Sequence, residues 1–247
     1  MPSFMTIHDL NCDMGEGMPY DDQILPFITS ANIACGFHAG DDDTMKRTVE
    51  HCLQEGVLIG AHPSYPDREN FGRVDMMYKQ LRPADLPEII VTQLSRLKRI
   101  CEEAGTFLHH VKPHGALYNR AATDATVSEM ICSAIKDVDE NLILYGLHNS
   151  EMTRTALYFD MVFLNEVFAD RTYQDNGTLT SRTDKNALLT DVGAVIRQVT
   201  SMTRDKIVET VSGKRIPVVA DTICIHSDSE HVLVFARAIS QYFKEAV

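Results

Sequence analysis

His109-His110-Val111-Lys112-Pro113-His114-Gly115-Ala116-Leu117-Tyr118-Asn119 is the stretch on which the reading of the fold turns. In an extended segment, residues two apart share a face, so His110, Lys112 and His114 fall on one side. Pro113 withholds a backbone donor and Gly115 frees the chain to turn, which ends the strand there. Two imidazoles and an ammonium thus collect at a strand's carboxyl end. Alone, such a stretch would read as a solvated loop carrying a few charges. The rest of the chain changes that reading, because the same pattern recurs at one strand end after another.

Outward from this segment, short apolar runs alternate with helical patterns. Residues 6–12, 31–37, 57–61, 107–111, 142–147, 162–168 and 217–225 read as strands. Helices are expected over 43–55, 83–104, 126–138, 151–158, 187–202 and 229–243, with a short, ill-defined connection near 21–28. In 83–104, Leu86, Ile89, Ile90, Leu94, Leu97 and Ile100 recur at helical spacing, with Pro83 suited to a first turn and Gly105 to the stop. About seven strand–helix repeats predict a parallel α/β protein. An open sheet gathers polar residues at one switch point, whereas a barrel gathers them from many strand ends at one mouth. Here they are spread over nearly every strand, so a barrel is expected. Segments 63–80 and 170–185 read as long loops over its mouth.

The 247 residues are 44% hydrophobic and 23% charged, enough to bury a large core without disulfide or metal staples. The net charge of −12, with no basic tract, argues against nucleic acid and anionic membranes as partners. No apolar run approaches the ~18 residues of a membrane span, and residues 1–10 show no signal peptide. Six scattered cysteines without a Cys-x-x-Cys pair read as reduced, mostly buried thiols, and a cytoplasmic location is expected.

The strand ends carry the chemistry. Asp9, Asn11 and Asp13 share one face of the first strand, and polar groups inside a barrel are costly unless paired. Glu16 adds a carboxylate in the Gly15–Gly17 turn. Asn32 and His38 have matching parity on the second strand; Asp41 either joins the site or caps the following helix. His62 sits between the third strand and a stiff Pro63–Pro66 loop, and Arg73 follows. Glu166, Phe168 and Asp170 share parity on the sixth strand, beside Arg171, and the last strand ends in His226-Ser227-Asp228. Six strand ends with ionisable groups on one rim point to an active site. No phosphate-binding loop, dinucleotide fingerprint or nucleophile elbow is visible. Asp13, His38 and His62 make a plausible divalent-metal set, and a metal-free acid–base site fits the sequence equally.

Five ordered stretches, Asp9–Gly17, Ile33–Asp41, Gly60–Asp67, Val111–Asn119 and Glu166–Tyr173, resemble the LamB/YcsF family over nearly the whole chain. The resemblance implies one domain over 1–247, a distorted seven-stranded (β/α) barrel similar to the glycoside hydrolase/deacetylase superfamily. It further implies cleavage of the lactam 5-oxo-L-proline to L-glutamate, with ATP as co-substrate and two partner subunits, B and C. On that reading, Lys112 and Arg171 meet developing negative charge. His62, His114 and one of Asp13 or Glu16 share the proton transfers, with Glu166 and Asp170 in the same catalytic set. Asn11, His38, Asp41, Arg73, Tyr118, Asn119, His226 and Asp228 are expected to bind substrate. Alternatives are a stand-alone metal-dependent hydrolase, such as a sugar deacetylase, and a non-catalytic lactam-binding subunit. Two positions depart from the family pattern: Val74 stands where a second arginine is usual, and Ser227 where a glycine is usual. A glycine with positive φ there would leave Ser227 strained.

Overall fold

A computed structural model describes residues 9–245. Seven parallel strands close into a barrel: β1 (Asp9–Met14), β2 (Ser30–Ala34), β3 (Leu58–His62), β4 (His110–Val111), β5 (Ile143–Leu147), β6 (Phe163–Phe168) and β9 (Thr222–Ile225). β9 closes the ring, with Thr222 in register with Asp9 on one side and Glu166 on the other. The expected α/β barrel is therefore the observed architecture. Positions 6–8 of the first expected strand lie outside the described residues.

Helices α2 (Asp42–Glu55), α3 (Leu86–Glu103), α5 (Ala125–Val138), α6 (Glu151–Tyr158), α7 (Val192–Thr200) and α8 (Val232–Glu245) surround the barrel. Their apolar stripes, such as Ile90, Leu94, Leu97 and Cys101 of α3, are buried. A short α1 (Asp21–Ile24) fills the first connection. No helix among the described residues is long and apolar enough to cross a membrane. All six cysteines are free and buried.

Three expectations are corrected. The strand ends before Pro113 as expected, but the segment before the 126–138 helix is not a plain connection: α4 (Gly115–Ala121) begins at Gly115 and buries Leu117 and Tyr118. The segment 217–225 is two elements, because Pro217 belongs to a hairpin of β7 (Ile207–Glu209) and β8 (Arg215–Pro217) outside the barrel. α7 starts five residues later than its pattern predicts. Residues 187–189 are instead tied to the preceding loop through Thr172 N–H to Ala187 O and Leu189 N–H to Asp170 O. Asp191 then caps the helix through the Ala194 N–H at 2.8 Å.

One close approach sets the barrel interior. Gly60 faces the buried imidazole of His110, and a Cβ added at Gly60 would lie 2.1 Å from its Nε2. Only a glycine leaves room for a histidine at that level. His110 then donates through Nε2 to Asn32 Oδ1 at 2.8 Å, since the Asn32 amide nitrogen is committed to Asn11 and Asp13.

Candidate active site

The inward face of β1 organises the site from below. Asn11 and Asp13 point into the barrel, and the Lys112 ammonium arrives from the end of β4. Lys112 Nζ meets Asp13 Oδ1 at 2.9 Å, Glu166 Oε1 at 2.9 Å, Cys224 Sγ at 3.0 Å and Asn11 Oδ1 at 3.2 Å. An ammonium has three protons, so these four neighbours use it fully. Burial alone would depress the Lys112 pKa, yet Asp13, Cys224 and Glu166 drive it well above the usual range. Asp13 is likewise held well below a normal carboxylate, because His62 and Lys112 outweigh the cost of its burial. Lys112 is thus a structural counter-charge that keeps Asp13 ionised and aimed. Its ammonium is shared among these four partners, while Lys112 also lines the cavity above.

Above this layer sit three histidines and a second carboxylate. His62 Nδ1 donates to Lys112 O at 2.7 Å, and His114 Nε2 donates to Phe71 O at 2.8 Å. His38 Nδ1 lies 2.9 Å from Ser64 Oγ, whose own proton goes to Tyr65 O. The opposite nitrogens converge. His62 Nε2 is 2.9 Å from His114 Nδ1 and 3.3 Å from Asp13 Oδ2. Glu16 Oε1 is 2.8 Å from His38 Nε2 and 3.3 Å from His114 Nδ1. The His38 and His114 rings stack at 3.8 Å. Burial, then the neighbouring His62, pushes both down to about 3. For His62 burial acts downward too, but Asp13 outweighs it and raises the pKa. Burial raises that of Glu16.

The elements explain this placement. Gln93 of α3 clasps the loop after β3, accepting from Ser64 N–H at 3.0 Å and donating to Ser64 O at 2.9 Å. The loop then crosses the mouth through Phe71 and Gly72, both with positive φ. A Cβ at Gly72 would come within 2.8 Å of the His114 ring, so this glycine lets the loop backbone lie against the imidazole that Phe71 O orients. At the end of β6, Gln198 of α7 donates to the carbonyls of Phe168, Ala169 and Arg171.

A cavity of about 690 Å³ opens above the cluster. Asp13, Glu16, His62, His114 and Lys112 form its floor, and Tyr118, Asn119, Phe168, Arg171 and His226 contribute to its walls. The rim is a clamp from three loops: Asp228 accepts from Arg73 at 3.0 Å and from Arg182 at 2.7 Å. Arg171 is buried and donates to the carbonyls of Thr180 and Ala187, so part of its guanidinium ties down the 170–185 loop. The Tyr118 phenol sits beside Glu166; burial and that carboxylate push its pKa well up. Asp170 supports the wall by accepting from His226 Nδ1 at 2.9 Å and His226 N–H at 3.1 Å. Burial raises the Asp170 carboxyl, but the His226 interactions win and hold it below its usual pKa.

Several expected site residues stand elsewhere. Asn11 and Glu166 are fully buried below the cavity, joined at 3.0 Å. Asp41 is not on the cavity: it caps α2 by accepting from Thr44 N–H at 2.8 Å. His38 lies behind Glu16 and faces a second, shallower hollow with Asp41 and Arg68. The expected metal set of Asp13, His38 and His62 is divided, Asp13 and His62 grouping with His114, and His38 grouping with Glu16 and His114. Ser227 does not adopt the left-handed backbone expected of a glycine there, as the non-glycine residues with positive φ among those described do not include it. Its hydroxyl is buried at the cavity wall without a hydrogen-bond partner among the described residues. Sequence reading missed Arg182, Phe71, Ser64 and Gln93. Only the cluster of turn residues around Arg182 hinted at a loop, and nothing marked its arginine as a rim residue.

Residues 8–247 match the family described as LamB/YcsF. A protein of Bordetella pertussis, named as the A subunit of 5-oxoprolinase, is 48% identical over 236 residues, covering 94% of this chain and 92% of its own length. One of the same name from Bacillus cereus (strain Q1) is 45% identical over 246 residues, covering 97% and 96%. Among solved structures, a lactam utilization protein from Thermus thermophilus superposes with a TM-score of 0.88 at 34% identity, covering 97% of this chain and 96% of that one.

Proposed function

The chain belongs to the LamB/YcsF family, and from that premise we propose that it is the lactam-opening component of an ATP-hydrolysing 5-oxoprolinase. It converts 5-oxo-L-proline to L-glutamate as the A component, working with subunits B and C, and ATP is the co-substrate of the assembly. The names carried by its relatives support the substrate. The observation that carries the chemistry is the buried floor of Asp13, Glu16, His62 and His114 facing an arginine rim across one cavity.

A five-membered lactam is a stabilised amide that water attacks slowly. Phosphoryl transfer from ATP to the lactam oxygen gives an imidate-like species and ADP. Water then adds to the carbon, and the C–N bond breaks as nitrogen leaves with a proton. A second water displaces phosphate from the resulting acyl phosphate, giving glutamate. The floor supplies what these steps need: acceptors for the protons of the attacking waters and a donor for the departing nitrogen. Lys112 fixes the Asp13 carboxylate at the cavity floor. At the rim, Arg73, Arg171 and Arg182 offer positive charge to the substrate carboxylate and to phosphoryl oxygens.

The test is a coupled assay of glutamate and phosphate release from 5-oxoproline and ATP. It compares this chain alone, subunits B and C alone, and all three together. Release only from the complete set is expected. Equal glutamate release by B and C without this chain would refute the assignment.

A further inference from the structure

Hydrogen-bond accounting at the floor of the cavity leaves a surplus of acceptors. Lys112 O and Phe71 O are carbonyls, so His62 Nδ1 and His114 Nε2 must carry protons. Ser64 Oγ gives its proton to Tyr65 O and therefore accepts from His38 Nδ1. Each neutral imidazole then has one nitrogen left, with a bare lone pair. These are His62 Nε2, His114 Nδ1 and His38 Nε2, and they point at one another and at two carboxylates. The separations run from 2.8 Å for His38–Glu16, through 2.9 Å for His62–His114 and 3.3 Å for both His62–Asp13 and His114–Glu16, to 3.9 Å for His62–Glu16. Lone pairs packed this closely repel unless a proton or a metal ion lies among them.

We propose that this convergence is a binding site for a single divalent transition-metal ion. The ion is held by the triad Glu16/His38/His114, which shares His114 with the neighbouring triad Asp13/His62/His114. One lone pair on His114 Nδ1 serves one ion, so the site is mononuclear. Mixed imidazole and carboxylate donors suit the zinc, manganese, iron and nickel class. Metal–ligand bonds of about 2.0–2.2 Å place ligand atoms about 3–3.5 Å apart, a spacing that the His62–Asp13 and His114–Glu16 pairs have at 3.3 Å and that the 2.8 Å and 2.9 Å pairs approach. The outer partners are those of metal-bound histidines, whose far N–H is held by a carbonyl or hydroxyl and whose tautomer is thereby fixed. Asp13, Glu16, His62 and His114 line the cavity, so a water on the ion faces the lactam space. His38, beside Glu16, closes the other side.

The ion occupies the floor to which water activation is assigned above and so rests on that reading for its role. Its occupancy is measured without lactam or ATP, so either idea can fail alone. The full chain is stripped with a chelator and titrated with Zn(II), and separately with Co(II) as a spectroscopic probe. One equivalent per chain is expected, with visible Co(II) absorption bands and a raised thermal midpoint. Glu16→Gln and His114→Ala should weaken binding at least about 100-fold and abolish the bands, and Ser64→Ala should weaken it about 10–100-fold. His51→Ala and His231→Ala, at surface histidines, should change nothing. If His114→Ala does not fold, Glu16→Gln and Ser64→Ala carry the test. Absence of stoichiometric binding, unaltered Co(II) bands in folded Glu16→Gln, or binding lost with His51 or His231 would overturn the proposal.

Discussion

Single residues settle the electrostatics of this barrel. Lys112→Met leaves Asp13 and Glu166 buried without their counter-charge, a change that costs about 3–5 kcal/mol. Urea unfolding should show it, and adding Glu166→Gln should recover part of the loss. Asp170 acts at the wall. Its folded pKa lies below the ordinary unfolded value near ~3.9, so its contribution is complete at neutral pH. That contribution fades as pH falls below about 4 through the depressed folded value. Thermal midpoints against pH should therefore fall less steeply on the acid side for Asp170→Asn. Gly60→Ala forces a methyl group onto His110 and should cost about 1–3 kcal/mol by overpacking.

The elements show what was legible in the sequence. Period-two alternation exposed the inward faces of β1 and β6, since Asn11, Asp13 and Glu166 carry polar groups where apolar ones belong. Helical spacing located α3, α5 and α6 within a few residues. What it missed had tertiary causes: α4 hides behind Pro113 and Gly115, and α7 yields its first turn to hydrogen bonds with the 170–185 loop. Asp41 illustrates the limit, because a capping carboxylate and a site carboxylate look identical in one dimension. Asp41→Ala should lower the thermal midpoint slightly as a lost helix cap and leave the turnover of the assembled enzyme unchanged. Arg182 shows the converse, being invisible until three loops meet at Asp228. Arg182→Ala should raise KM for 5-oxoproline about 10–100-fold, as expected for losing a charged hydrogen bond, with a smaller change in kcat. The clamp itself is half exposed, so its stability effect should stay below about 1 kcal/mol.

At the scale of the whole molecule, the site exists because the sheet closes. β9 pairs with both β1 and β6, so a chain ending at residue 221 would leave two open edges. Open edges invite intermolecular pairing, and size-exclusion chromatography should show aggregates in place of a discrete species. Closure brings Asp13, His62, His114 and Glu16, distant in sequence, within a few ångströms, while distributing the rim among loops after β3, β6 and β9. The direct measurement is glutamate release from 5-oxoproline and ATP by the assembled enzyme carrying His114→Ala, with its fold verified by unchanged circular dichroism. A fall of at least about 100-fold, the scale of lost acid–base assistance, is predicted; near-wild-type turnover would contradict the central claim.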